Sequence, residues 1–585
     1  MRLAMLLWMV VVIISLAFKM DAIIGQNTND PDDALRLVQV RDLLGGQGWW
    51  DISQHRINPL GGDGLMHWSR IVDAPLALGI AALTPLMGPA AAESVVIGLW
   101  PLILLAPLFW LVTRTGETLG NRPIALIAPV LLASNQLILL QFAPLRIDHH
   151  SWQIMLAGAL LLLAIFPASR RTGMASGLVA ATYLAISLEA LPAIALFAAI
   201  MAAEWLWSGA AAARHRLVAY LVTLSLSACL LQWLTRGPVG FSATWCDSLS
   251  LPYLGALISA ALLIGFGAPL VDKYLPNPFA RVGLLGSAGL ASGVVLLIIE
   301  PTCGHGPFGT LDPIVVEYWY LNIREGLPFW STIDATTGFA LAPSLVGMLA
   351  TAWAAHVSVG AARRQWLIIF AAFMGMMILS LFVMRATAIA HLFAIAGTAY
   401  AAHRIWHRAR AVANAGLRIM ATLSVLAILP PTAGAAAGLA ITAMNGGEDQ
   451  AENPAGHACV DAPSIAGLNA IAPSLIFAPL EIGPHILQKT HHSVMATGHH
   501  RNNRVMASVI SAFVGDSEAA RDAIGNSGAS LVVICTSAAE YDNFRRAPGN
   551  VFATQLATGQ APNWLTPLAM PTDAGLMVWR VERPN

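Results

Sequence analysis

Asp148, His149 and His150 stand together where an apolar run begins, and a second acidic group, Asp30, Asp32 and Asp33, follows the first apolar run of the chain. Two imidazoles beside a carboxylate, with a further carboxylate far away in sequence, suit a divalent ion with mixed nitrogen and oxygen ligands, Mn²⁺ or Mg²⁺. The ligand set read from this pattern is Asp30, Asp148, His149 and His150, with His149 alternatively in outer contact. Each has a structural alternative. Pro31 favours the first turn of a helix, whose positive end would attract Asp32 and Asp33 as capping acids. Arg36, six residues after Asp30, either pairs with it or is surface charge. Glu189, in SLEALP, reads as a helix-start acid, with a proton relay as the other option. The pairs His491/His492 and His499/His500 read as surface or glycan-contacting histidines before a metal site.

The elements that must position these residues follow from composition. Of 585 residues, 57% are hydrophobic and 11% charged, against about 25% charged in soluble domains. The chain is expected to be a polytopic α-helical membrane protein. Lys plus Arg and Asp plus Glu balance at 32 each, so no basic field recruits nucleic acid. After an uncleaved first helix over 3–18, windows near 20 residues fall at 93–113, 123–142, 151–168, 175–188, 191–207, 217–235, 252–271, 282–300, 336–356, 366–383, 385–402 and 416–440, making about thirteen spans. The stretch 74–88 reads as a helix lying in the interface. Basic residues concentrate in alternate short loops, among them Arg114 to Arg122, Arg170/Arg171 and Arg363/Arg364, which puts the N-terminus inside.

An odd span count then places the tail from 441 outside. It shows short strand-like runs between helical patterns and reads as a small α/β domain. The expected organisation is a transmembrane domain over 1–440 and an extracytoplasmic domain over 441–585. A long first external loop over 20–92, a tight joint from Arg146 to His150 and an outer loop over 301–335 all face that same compartment. Four of the five cysteines lie there too, compatible with disulfides Cys246–Cys303 and Cys459–Cys535 or with free thiols.

With these residues in order, the chain resembles the catalytic subunit of oligosaccharyltransferases of the archaeal and bacterial type and, more broadly, the GT-C membrane glycosyltransferases that use polyprenyl-linked sugars. The family's first external loop begins Asp-Pro-aromatic-aromatic-x-x-Arg. Here it reads Asp30-Pro31-Asp32-Asp33-Ala34-Leu35-Arg36, with the aromatics replaced. Asn58-Pro59 to Gly61, Trp68-Ser69-Arg70 and Asp73 are similar to its later landmarks, Asp148-His149-His150 to its second acidic motif, and Glu325-Gly326-Leu327-Pro328 to its fifth-loop Glu. Arg385 occupies the place of an arginine that contacts the lipid phosphate. Trp49-Trp50-Asp51 has the letters of the family's acceptor motif but lies in the first loop, where the aromatics read as packing.

The resemblance implies a glycosyltransferase of the bacterial inner (cytoplasmic) membrane with its tail domain in the periplasm. It would move a sugar or glycan from a polyprenyl phosphate or pyrophosphate to a glycan, lipid or protein acceptor, assisted by a divalent metal. Arg36 and Arg385 would bind substrate, and Asp30, Asp33 and Glu325 would serve catalysis, Asp30 or Asp33 as base. The rival readings are a transporter or flippase of lipid-linked sugars and a non-catalytic relative.

Overall fold

The computed structural model describes residues 1–62, 64–445, 459, 462–570 and 575–582. In lipid an apolar run must satisfy its own backbone, and a helix does so within one segment. The helices are α1 (Arg2–Ile24), α2 (Pro31–Leu44), α3 (Arg70–Met87), α4 (Pro89–Thr118), α5 (Arg122–Ala133), α6 (Gln136–Leu140), α7 (His150–Ile165), α8 (Arg170–Ile186) and α9 (Leu191–Ser208). There follow α10 (Ala211–Phe241), α11 (Leu251–Tyr274), α12 (Pro278–Ile299), α13 (Pro313–Tyr318), α14 (Ala335–Val357), α15 (Gly360–Phe382), α16 (Thr387–Arg410), α17 (Ala415–Ala427) and α18 (Pro430–Met444). Each run expected to span is a helix or a helix pair.

Two of the expected spans are broken. The run 123–142 stops at Ser134 and restarts as α6, where the Asn135 side chain accepts the Ile138 N–H. The run 416–440 bends by 81° between α17 and α18. Pro430 and Pro431 cause this bend, since neither supplies an N–H to continue α17 and each disfavours helical backbone in the residue before it. Among the described residues nine helices are long and apolar enough to cross a membrane, ten if α17–α18 is one span. Helix α3, expected to lie in the interface, is one of the nine.

The helices pack around one large apolar cluster that takes in α4, α7, α8, α9, α10, α15 and α16. The tightest approach is α8 on α10. A Cβ on Gly173 would lie 2.3 Å from the Arg216 carbonyl, and one on Gly177 would lie 2.6 Å from that of Tyr220. Glycines four apart thus let the two backbones touch.

Beyond α18 come α19 (Ala462–Ala466), β1 (Leu475–Phe477), α20 (Gly483–Lys489), β2 (Ser493–Val494), α21 (Asn503–Val514), α22 (Ser517–Ser527), β3 (Leu531–Cys535), α23 (Ala539–Arg545), α24 (Phe552–Ala557), β4 (Leu565–Leu568) and β5 (Leu576–Val581). The sheet order is β2-β1-β3-β5-β4. Strands β2, β1 and β3 run parallel, and β5 is antiparallel to both β3 and β4. Disulfides join Cys246 to Cys303 and Cys459 to Cys535.

Both faces of this sheet are covered, and loops of the membrane region supply part of the cover. One face holds Phe513, Phe544 and Phe552 of α21, α23 and α24, together with Val315 of α13. The other meets Leu35 and Val38 of α2 and Ile57, Met66 and Trp68 of the first external loop. That loop also adds backbone pairing at the β2 edge: Asn58 N donates to Val494 O at 2.9 Å and Val494 N to Arg56 O at 3.0 Å. The Arg56 guanidinium donates to the carbonyls of Leu487, Thr490 and His492. The first external loop is therefore clamped between membrane helices and tail domain.

Candidate active site

Helix breaks at one end of the helix bundle bring the candidate residues together. Asp30 is the N-cap of α2, its side chain accepting the Asp32 N–H. The 141–149 joint links α6 to α7, a one-turn 3₁₀ segment at Leu188–Ala190 links α8 to α9, and another at Met384–Ala386 links α15 to α16. The outer loop reaches over them, with Met384 N bonded to Leu327 O at 3.2 Å. Between these elements and the tail domain lies a cleft of about 960 Å³, lined among others by Asp30, Asp32, His150, Glu325, Arg385 and Glu481.

Arg146 organises one wall. Its guanidinium donates to Asp30 and lies 3.3 Å from Asp33 and 3.0 Å from Asp148. Asp33 is tied further, accepting the N–H groups of Ile147 at 2.8 Å and Asp148 at 2.9 Å through one oxygen. With both oxygens engaged, Asp33 is a strut holding the 146–148 joint against α2. Burial alone would raise the Asp148 pKa, but Arg146 and His150 hold it well below the usual carboxylate range. Asp32 experiences the opposite field. Although its side chain is solvent-exposed within the cleft, enclosure by the surrounding walls and the neighbouring Asp30, Asp148 and Glu325 carboxylates push it up to about 7.

The histidines form the second wall. Asp148 accepts the His150 backbone N–H at 3.0 Å and pairs with His150 Nδ1 at 2.7 Å. This carboxylate fixes the ring and leaves Nε2 as its open nitrogen. Nε2 of His150 is buried with no hydrogen-bond partner among the described residues. His149 stacks on His150 with centroids 4.6 Å apart, and its Nε2 is 3.6 Å from Glu189. Ligand atoms of His149, His150 and Glu189 all lie within 4.8 Å of one another. Arg385 joins the halves, bonded to Glu189 and 3.2 Å from Glu325.

The structure therefore gathers Asp30, Asp33, Asp148, His149, His150, Glu325 and Arg385 in one place. It does not bring Arg36 there. That guanidinium is 1% exposed, bonded to Asp73 at 2.7 Å and stacked 4.3 Å over Trp68. The pairing expected between Arg36 and Asp30 is made by Arg146 instead, because Arg36 points from another face of α2 into the loop-1 core. Trp49 and Trp50 both donate to Leu234 O, and Trp50 packs against the kink at Gly237, whose φ of +66° suits glycine. From the sequence Arg146 has no site role, Asp32 reads as a capping acid and Glu189 as a helix-start acid, whereas all three belong to the network around the cleft. The signal available for Glu189 is its place between two short apolar runs, which makes it a boundary acid like Asp148.

The fold has close likenesses among solved structures. The archaeal oligosaccharyltransferase AglB from Archaeoglobus fulgidus, in complex with an inhibitory peptide and a dolichol-phosphate, superposes with a TM-score of 0.66 over 99% of this chain and 74% of its own, at 13% identity. The chain has the fold of an archaeal oligosaccharyltransferase. The apo form of the Archaeoglobus fulgidus enzyme gives a TM-score of 0.64 at 13% identity, covering 96% of this chain and 73% of its own. Its complex with Zn and sulfate gives 0.58 at 13% identity, covering 98% and 73%. The sequence matches no protein-family model and no curated protein.

Proposed function

We propose that the chain is a metal-assisted GT-C glycosyltransferase that moves a sugar or glycan from a polyprenyl-phosphate or pyrophosphate carrier to an acceptor at the outer face of the cytoplasmic membrane. The observation that carries this reading is the cleft itself, where Arg146, Arg385, His150 and several carboxylates converge at helix breaks, with His149, Asp148 and Glu189 packed directly behind them. The donor set fits a divalent ion, since the buried Nε2 of His150 has no hydrogen-bond partner among the described residues and the Asp148 contact engages Nδ1. His150, His149 and Glu189 would hold the ion. Asp148 orients His150, and Asp30 and Asp148 would join as ligands only once Arg146 released them. Bound there, the ion would neutralise charge on the carrier phosphate as a Lewis acid.

The protein's own groups supply the rest. The Arg385 fork is held by Glu189 and Glu325 with its face toward the cleft, ready to pair with phosphate oxygens as the glycosidic bond breaks and charge gathers on the leaving phosphate. A carboxylate poised near neutrality suits a proton acceptor. Asp32, pushed up to about 7, would take the acceptor's proton as its heteroatom bonds the anomeric carbon. Asp33, with both oxygens engaged, suits positioning, and Asp30 secures Arg146. The fold likeness to an enzyme solved with a dolichol-phosphate supports the lipid carrier. The missing tail Trp-Trp-Asp motif favours a lipid or envelope-polysaccharide acceptor over a peptide sequon.

The test is sugar release from an undecaprenyl-phosphate-type donor by the purified protein with Mn²⁺ or EDTA. Chelation and His150→Ala should each abolish turnover, and Arg385→Gln should lower it by about 10²- to 10³-fold, the usual loss when a charge-stabilising donor is removed. Unchanged turnover in both variants would refute the site. Movement of intact donor across vesicles without sugar release would favour the flippase reading.

A further inference from the structure

A second cluster of imidazoles lies outside the cleft, none of its members lining that cavity. It joins three distant segments: His67 of the first external loop, Asp247 between α10 and α11, and His499 and His500 in the turn just before α21. Ligand atoms of His67, Asp247 and His500 all lie within 4.8 Å of one another. His67 Nδ1 is 2.7 Å from His499 Nε2, and His500 Nε2 is 2.8 Å from Asp247. His67 sits centrally, with its ring centroid 4.8 Å from those of both His499 and His500. His499 is 4% exposed, and its Nδ1 is buried with no hydrogen-bond partner among the described residues.

We propose that His67, His500 and Asp247 form a second divalent metal site, selective for Zn²⁺ or a similar imidazole-binding ion, that fastens the first external loop to the tail domain. Two neutral imidazoles and one carboxylate oxygen are a common zinc donor set, and water or the adjacent His499 completes four-coordination. The ion would enter in place of the His500–Asp247 hydrogen bond. Asp247 keeps an outer partner throughout, because Arg501 grips both its oxygens at 2.7 Å and also donates to Ser248 and Met66 O. Such outer contacts fix a ligand's direction.

The same arginine sets the selectivity. Arg501 and Arg236, the latter donating to His67 O, stand beside the cluster. Their positive charge opposes a hard cation that would depend on the single carboxylate. Mg²⁺ and Ca²⁺, which need several oxygen ligands, are excluded, whereas Zn²⁺ gains bonds from nitrogen.

The experiment uses the full-length protein in detergent, stripped with EDTA and dialysed against ZnCl₂. His150→Ala serves as background, so that binding in the cleft does not contribute. Elemental analysis should find one zinc per chain, with 1 mM Mg²⁺ failing to displace it, and Co²⁺ in its place should give the visible absorption of a four-coordinate site. Adding His500→Gln or His67→Gln should weaken zinc binding by at least about tenfold and abolish the cobalt band. His67 is only partly buried, so its variant provides a second reading if the His500 variant is unstable. No zinc in the His150→Ala protein, or unchanged affinity in both double variants, overturns the proposal.

Discussion

Replacing Arg146 by Met would test the electrostatic design of the cleft wall. The guanidinium is shared by Asp30, Asp33 and Asp148, whose side chains are 36%, 2% and 2% exposed. Removing one partner of a buried ion pair typically costs about 3–5 kcal/mol, because a charge is left uncompensated. Asp148 falls in that class, although it keeps His150, whereas burial pushes the Asp33 carboxyl well above its usual pKa despite Arg146, so it adds less. Asp30 is open to water and adds less than about 1 kcal/mol. A total near 4 kcal/mol should lower the thermal midpoint of the purified protein at pH 7 by at least about 5 °C.

The loss should depend on pH with a definite sign. Asp148 is held well below its usual value of 3.8 in the fold, so its contribution is complete above about pH 4 and is lost as pH falls through the folded value. Wild type and Arg146→Met should therefore converge as the pH drops below 4. Millimolar Mn²⁺ should restore part of the midpoint at pH 7, since the freed carboxylates can share a divalent cation. Arg146→Lys, which keeps charge but loses the fork, should fall between the two. An Arg146→Met protein melting with wild type at pH 7, or a deficit that stays undiminished as the pH is lowered well below 4, would refute this account.

Two further outcomes are expected. Arg36→Met removes the cation from a pair that is 1% exposed on both sides; it should cost about 3–5 kcal/mol of stability while leaving the KM for lipid donor unchanged, and a raised KM without destabilisation would return Arg36 to a substrate-binding role. Glu540, 4% exposed, accepts the N–H groups of Leu480 and Glu481, and burial together with the Glu481 charge pushes it up to about 8. A carboxyl raised above its unfolded value favours the fold fully below about pH 4.5, and that advantage is lost as pH rises through 8. Glu481→Gln should thus raise the thermal midpoint at pH 9 and leave it unchanged at pH 4, measured by differential scanning fluorimetry.

Much of this architecture is legible in the chain because lipid imposes a strong code. Runs near twenty apolar residues became helices at the expected places, and the tail's alternation of strand-like and helical patterns became a mixed sheet. The breaks were harder to read. Asn135 and the Pro430-Pro431 pair interrupt runs whose hydropathy is continuous, so a sliding window passes over them. At the site, Asp148, His149 and His150 are adjacent in sequence and easily seen. Arg146 lies two residues before them, yet its role comes from a third dimension, the approach of α2 across the joint. Arg36 shows the converse: its spacing from Asp30 suggests a pair, but six residues are about one and two-thirds turns of helix, which carries it to another face of α2, toward Trp68 and Asp73.

The apolar layer beneath the tail sheet draws on Leu35 through Trp68 at one end of the polypeptide and on Ile465 through Val578 at the other. Ribosomal synthesis is vectorial, so the early half of that layer must wait in water, unsheathed, until every intervening helix has been inserted and the last strand released. Premature termination would strand greasy surface where proteases patrol. The protein consequently carries its own proof of completion: only a finished copy can hide its beginning.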